Sequence, residues 1–253
     1  MWSTVTGWGT KPITGLTTGI TYGFKVKARN SDGLESAFGA TASGTTVTTP
    51  AVSTLPATGA TTTSVTANGT ITNTYSLSVT SRGFIWYDYT DSDKTIGQSG
   101  VVNVTQEGTF DVGTFSATIS ALTVCKHYNV RAFATNENGY GYGARISVWT
   151  LPGVPSAPSV TSPTSSTLLV TINENDNPPA AEYAIQETST GNYVQANGTL
   201  GNTAFWQTAI VWGTKTVTTL SPNTQYTFQV KARNGNNEET GFSETASFGK
   251  STQ

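Results

Sequence analysis

The chemistry open to this chain starts from few residues. His127 is the one histidine, and it lies two positions after the one cysteine, Cys125. A Cys-x-His pair is half of a nucleophile dyad or half of a zinc site. A structural zinc site needs four ligands, and no second histidine exists to extend this one. Alternation along the segment places Cys125 in a turn and His127 on the face opposite Tyr128, which argues against a shared site. The densest run of carboxylates and amides is NENDN, residues 173–177, in which Glu174 and Asp176 offer oxygens to a calcium ion. The run lacks the Asp-x-Asp-x-Asp-Gly spacing of an EF-hand, so a solvated turn is the plainer reading and no cofactor or metal is expected. Trp86, Tyr140 and Tyr142 stand outside any repeat and are the candidates for an exposed aromatic contact, for instance with surface glycans. Asn68, Asn103 and Asn197 each open an Asn-x-Thr triplet, the acceptor sequence for glycosylation in a secreted protein.

Composition narrows the field further. The 253 residues carry only 11% charged side chains, well under the roughly 25% of ordinary soluble domains. The net charge is −2, and lysine and arginine are scattered, so no basic stripe is available to neutralise phosphates and nucleic acid is not an expected partner. No apolar run approaches the ~18 residues of a membrane span. The first ten residues, MWSTVTGWGT, have neither the basic nor the apolar region of a signal peptide. One cysteine permits no internal disulfide.

The elements that must position these residues show themselves as repeats. Shifting the chain by 204 residues lays Trp2 on Trp206, Trp8 on Trp212, Leu16 on Leu220, Tyr22 on Tyr226, Phe24 on Phe228 and Phe38 on Phe242, without a gap. The run VKARN occurs at both 26–30 and 230–234. A more distant copy contains Leu122 and Tyr128, again six residues apart. After each tyrosine, apolar residues alternate with polar ones as far as Asn30, Asn136 and Asn234, the pattern of a strand with one buried face. Turn-forming runs follow at once: NSDG, NENG and NGNN. Further strands are expected at TSVTANGTI (63–71), GFIWYDY (83–89), TLLVTI (167–172) and AEYAIQE (181–187), and no stretch carries a helical period. Recurrence of the tryptophans within the repeat points to packing.

An L-x5-Y spacing followed by Y-x-F-x-V-x-A-x-N and a turn resembles the sixth strand of fibronectin type III domains. The resemblance implies an all-β fold of tandem antiparallel immunoglobulin-like β-sandwiches. It also implies a tyrosine corner in which Tyr22, Tyr128 and Tyr226 bond back to backbone near Leu16, Leu122 and Leu220. Residues 153–253 are expected to be a complete domain and residues 49–152 a divergent one. Residues 1–48 hold only a C-terminal half, and Pro-rich joints at 48–52 and 150–159 separate the units. Leaving ~500 Å² of apolar face wet would forfeit about 12 kcal/mol, as much as the ~5–15 kcal/mol net stability of a whole domain. The half is therefore a window cut from a longer repeat protein, or is completed by another copy or partner, or is disordered or packed in some other way. The expected function is structural: a segment of an extracellular fibre, stalk or surface adhesin, self-associating or joined to neighbouring domains of a longer chain, and not an enzyme. The alternative is a spacer or carbohydrate-binding accessory region of a secreted enzyme.

Overall fold

The computed structural model describes residues 2–17, 19–161 and 164–248; the side chains of Val5 and Trp8 are not among those described. The first unit contains a single helical turn, α1 (Val5–Trp8), and two strands, β1 (Thr21–Phe24) and β2 (Ala42–Thr45), paired antiparallel. The second contains β3 (Ala51–Thr58), β4 (Val65–Asn73), β5 (Val79–Asp88), β6 (Val102–Phe110), β7 (Gly113–Ile119), β8 (His127–Asn136), β9 (Gly139–Tyr142) and β10 (Ile146–Trp149). The third runs β11 (Ser156–Thr161), β12 (Leu168–Asn173), β13 (Glu182–Glu187), β14 (Tyr193–Val194), β15 (Leu200–Gly201), β16 (Gln207–Thr208), the turn α2 (Ala209–Trp212), β17 (Thr214–Val217), β18 (Tyr226–Arg233) and β19 (Ala246–Phe248).

The fold is all-β, and every strand pairing is antiparallel. In the second unit the sheet β3-β4-β7 faces the sheet β10-β8-β5-β6, with β9 beside β8. In the third the sheet β11-β12-β17 faces β15-β14-β13-β18-β19, with β16 beside β13. Each is a sandwich whose core comes from alternate residues of both sheets: Val65, Ile71, Phe84, Phe115, Ile119 and Val130 in one, and Leu168, Val170, Tyr183, Ile185, Phe228 and Val230 in the other. Strand β18 alternates because only one of its faces meets this core. Strand β8 is buried on both faces. There Ile96 and Val101, from the connection between β5 and β6, pack with Ile85, Tyr87 and Phe133 on the outer side of the sheet.

The helical turns α1 and α2 are a departure from the sequence expectation of no helix. A single turn is too short to produce a hydrophobic period, and α2 is set by Thr208, whose hydroxyl accepts from the Val211 N–H. The two turns lie 204 residues apart, as do the registers Phe24↔Ala42 and Phe228↔Ala246. No helix among the described residues is long and apolar enough to cross a membrane.

Candidate interaction sites

The sandwiches are tied within themselves and to one another by two recurring polar devices. The first is the corner. The Thr17 N–H donates to the Tyr22 hydroxyl, Thr123 N–H to Tyr128, and Ser221 N–H to Tyr226, each at 2.9 Å. The donor always follows the leucine of the L-x5-Y spacing by one residue, so Leu16, Leu122 and Leu220 fix where the donor sits. Leu122 and Leu220 are buried and Leu16 is half-buried.

The second device is an asparagine at the end of the corner strand. Its Oδ1 accepts from the backbone of the following turn: Asp32 and Leu34 for Asn30, Asn138 for Asn136, and Asn236 and Glu238 for Asn234. Its Nδ2 reaches back across the joint. Asn136 donates to the Thr48 carbonyl at 3.0 Å, and Asn234 donates to the Thr150 carbonyl at 3.1 Å. Both acceptors stand two residues before a proline, in Thr48-Thr49-Pro50 and Thr150-Leu151-Pro152. Both asparagines are buried, so each clasp is made in a low-dielectric setting where leaving the amide unpaired is costly.

At the second joint the clasp sits inside a larger contact. The Thr150 hydroxyl donates to the Thr123 carbonyl and accepts from Lys126 N–H, holding the corner of one unit to the leader of the next. Cys125, in the left-handed region at φ 51°, projects into the core of the third unit, not that of its own. Burial pushes its thiol pKa up to about 11, which makes it a poor nucleophile. His127 lies between Tyr89 and Trp149 in a stack, with centroids 3.5 and 4.4 Å away and planes within 18° and 14°. Burial lowers its pKa, and the nearby Asp88 only partly opposes that. The Trp149 ring also closes on Gly235, where a Cβ would come within 2.5 Å of it, so this glycine is required by the approach of two units. Cys125 and His127 thus serve the joint separately.

Of these units the family comparison detects the third. Residues 153–248 match the family model of the fibronectin type III domain. Solved structures with a similar course include a two-domain fibronectin type III segment of chicken tenascin, 12% identical over 80% of this chain and 100% of that one, with a TM-score of 0.45. Others are the sensor domain of the anti-sigma factor RsgI4 of Pseudobacteroides cellulosolvens, at 19% identity, 42% and 97% coverage and a TM-score of 0.33. Chicken CNTN1 domains FN1–FN3 give 16% identity, 94% and 78% coverage and a TM-score of 0.31. No curated protein matches the sequence.

The matched fibronectin type III domain also shows what its N-terminal copy lacks. In the domain, β18 pairs with β13 from Glu182↔Arg233 to Glu187↔Phe228. Phe228, Val230 and Val217 are fully buried, whereas their counterparts Phe24, Val26 and Ile13 are 37%, 80% and 56% exposed. Residues 25–28 lie outside any strand, although 229–232 are strand throughout. A polar ladder survives in both copies. Lys231 sits over Trp206 and Phe242 and pairs with Glu239; Lys27 sits over Trp2 and Phe38 and pairs with Glu35. Arg233 and Arg29 stack on Trp206 and Trp2, at 4.5 and 4.6 Å.

Of the three residues expected at an exposed aromatic contact, Trp86 is placed apart from Tyr140 and Tyr142. Trp86 packs half-buried against the inner core, while Tyr142 packs with Phe133 on the other side of the same sheet. Alternation separates them, because Trp86 lies one residue after Ile85 on β5. The Tyr142 hydroxyl accepts from Ile96 N–H at 3.0 Å; Tyr140, beside it, is exposed. Among the described residues no three of His, Cys, Asp and Glu converge as metal ligands. Glu174 and Asp176 sit in a turn shaped by its amides: Asn177 bonds both ways with Gly153, and Asn175 Nδ2 donates to the Val154 carbonyl. Of the three sequon asparagines, Asn68 already spends its Nδ2 on the Pro56 carbonyl and the Thr58 hydroxyl. Asn103 and Asn197 are exposed, on β6 and in a turn.

Proposed function

We propose that the chain is a structural segment of an extracellular fibre, stalk or surface adhesin, in which successive sandwiches set distance and direction. The observation that carries this reading is the repeated asparagine clasp, which joins the first two units at Asn136 and the last two at Asn234. A joint built twice from the same amide and the same Thr-x-Pro leader is a device for holding neighbours at a fixed angle. Its proline adds stiffness to a leader only a few residues long. Domains of the matched family are often structural or adhesive modules of extracellular proteins and are typically non-catalytic. The surface, rich in hydroxyls and amides and poor in charge, suits the same setting.

Solution X-ray scattering tests the reading. A single elongated shape for residues 49–248, broadened when Asn234 is replaced by Asp, is the expected result. A distribution of interdomain angles as wide as that of beads on a flexible linker would overturn it.

A further inference from the structure

The fourth residue of each L-x5-Y corner lies in the left-handed region: Gly19 at φ 74°, Cys125 at φ 51° and Asn223 at φ 55°. Glycine adopts that conformation freely and asparagine with little cost, whereas the Cβ of a cysteine is strained there. The strained residue is also the one whose side chain is put to use. Asn223 is exposed, and Gly19 lies against the Tyr75 ring, which a Cβ would approach to 3.1 Å. Cys125 is buried in the core of the next unit, a core that includes Leu168, Tyr183 and Phe228. Val124, half-buried, packs against the same core, while Leu122, two residues earlier, belongs to the core of its own unit. The insertion is braced on both sides. Leu122 N–H donates to the Thr63 carbonyl and Thr123 N–H to the Tyr128 hydroxyl, each at 2.9 Å, so the corner is fixed to the second unit. Cys125 N–H donates to the Leu151 carbonyl at 3.1 Å, and Leu151 N–H to the Thr61 carbonyl at 2.9 Å, so the leader of the third unit is held between the corner and the β3–β4 turn.

We propose that the corner of the second unit is a plug that completes the core of the fibronectin type III domain, so that this joint opens only together with that core. A side chain withdrawn from a close-packed core leaves a void that its neighbours fill only in part. The plug is rigid on its own unit, so the third unit cannot swing away and keep it. The two joints are thereby unequal, because Gly19, at the matching position of the first corner, has no side chain to insert. The proposal goes beyond the structural reading above, since an asparagine clasp can fix an angle without either core depending on it.

The test uses the full 253-residue chain. In the natural chain, iodoacetamide labelling of the thiol reads opening at Cys125, and amide hydrogen exchange in β18 reads opening of the third core, each corrected for its unprotected rate. The expected result is that the two opening constants agree within tenfold and rise together with added urea. Labelling more than tenfold ahead of β18 would mean that the corner lifts out of an intact core, and would overturn the proposal. Two variants carry the residues of the other corners. Cys125→Asn and Cys125→Gly both suit the left-handed turn, so a residue needed only for the turn would leave β18 exchange unchanged and β4 exchange unchanged or slower. For a plug, β18 exchange should speed up at least tenfold with asparagine and threefold with glycine, while β4 stays within threefold of the natural chain. Unchanged β18 exchange in either variant, or equal loosening of β4 and β18, would overturn the proposal as well. A single elongated shape in scattering beside unchanged β18 exchange sinks this inference and leaves the structural reading standing.

Discussion

Residues 22–30 and 226–234 are close to the same sequence, and they do not have the same structure. Tyr226–Arg233 is one unbroken strand, whereas its copy is strand only as far as Phe24. Local propensity is nearly equal in the two, since Val, Lys, Ala and Arg occupy the same four positions. What differs is the neighbour. Where β2 supplies a partner, β1 forms in the register of the intact domain; where no β13 lies alongside, residues 25–28 leave the strand. The corner and the cation–aromatic ladder survive because all their parts lie within the copied segment. Strand character in this sandwich is thus given by pairing and burial more than by the residues themselves.

The largest separation between the copies should come from the buried phenylalanine. Phe228→Ala removes a fully buried ring and is expected to cost about 3–5 kcal/mol, read as faster native-state exchange in β18 or an earlier unfolding midpoint of residues 153–248. Phe24→Ala at the exposed copy should cost under about 1 kcal/mol. Equal effects would mean that the face of residues 2–48 is covered in solution.

The clasps come next. Asn→Asp keeps the Oδ1 that organises the turn and removes the donor. At Asn234 it sets a carboxylate against the buried Thr150 carbonyl, and a loss of about 1–3 kcal/mol is expected. Asn136→Asp should behave alike through Thr48, while Asn30→Asp should stay within about 0.5 kcal/mol. Denaturation of the three variants side by side decides it, and a costly Asn30→Asp would mean that its amide is already engaged. Smaller again is the corner: Tyr128→Phe and Tyr226→Phe each remove one acceptor of a backbone N–H, for about 1 kcal/mol apiece.

The sandwich architecture was legible in the sequence because alternation and turn residues are local signals, and a gapless copy at a shift of 204 repeats them. The Leu-x5-Tyr spacing is legible as text in the same way. The clasps were not, because Asn136 and Thr48, or Asn234 and Thr150, lie 88 and 84 positions apart. The only written trace is that each series ends in Asn and each leader reads Thr-x-Pro, and that trace becomes informative once the two are known to meet. Cys125 is harder still, because nothing in its own unit says that it packs in the next unit's core. The placement of the aromatics is hidden for a related reason: residue type alone does not say that the pleat sends Trp86 to one face of its sheet and Tyr140 and Tyr142 to the other.

Acid should divide the two copies by a route that involves no apolar contact. Glu187 is the one fully buried carboxylate among the described residues, and no counterpart to it lies within residues 2–48. Burial, the largest influence, pushes its pKa up. The hydroxyls and backbone N–H groups of Ser189 and Thr190 together outweigh it, at 2.6–3.0 Å, so its carboxyl titrates below the usual range. A depressed folded pKa means stability that is present in full above the unfolded value of about 4.3. That stability fades as pH falls through the lower, folded value. Exchange in β18 should therefore speed up as the solution is taken from pH 6 toward pH 3, after correction for the intrinsic rate. Glu187→Gln should flatten that dependence, at some cost to stability at pH 6, because the amide nitrogen cannot accept from Thr190. The β1–β2 pair, which contains no buried carboxylate, should show no matching change. A Glu187→Gln chain that keeps the full acid loss would place the sensitivity in another carboxylate of the domain and remove Glu187 from the explanation.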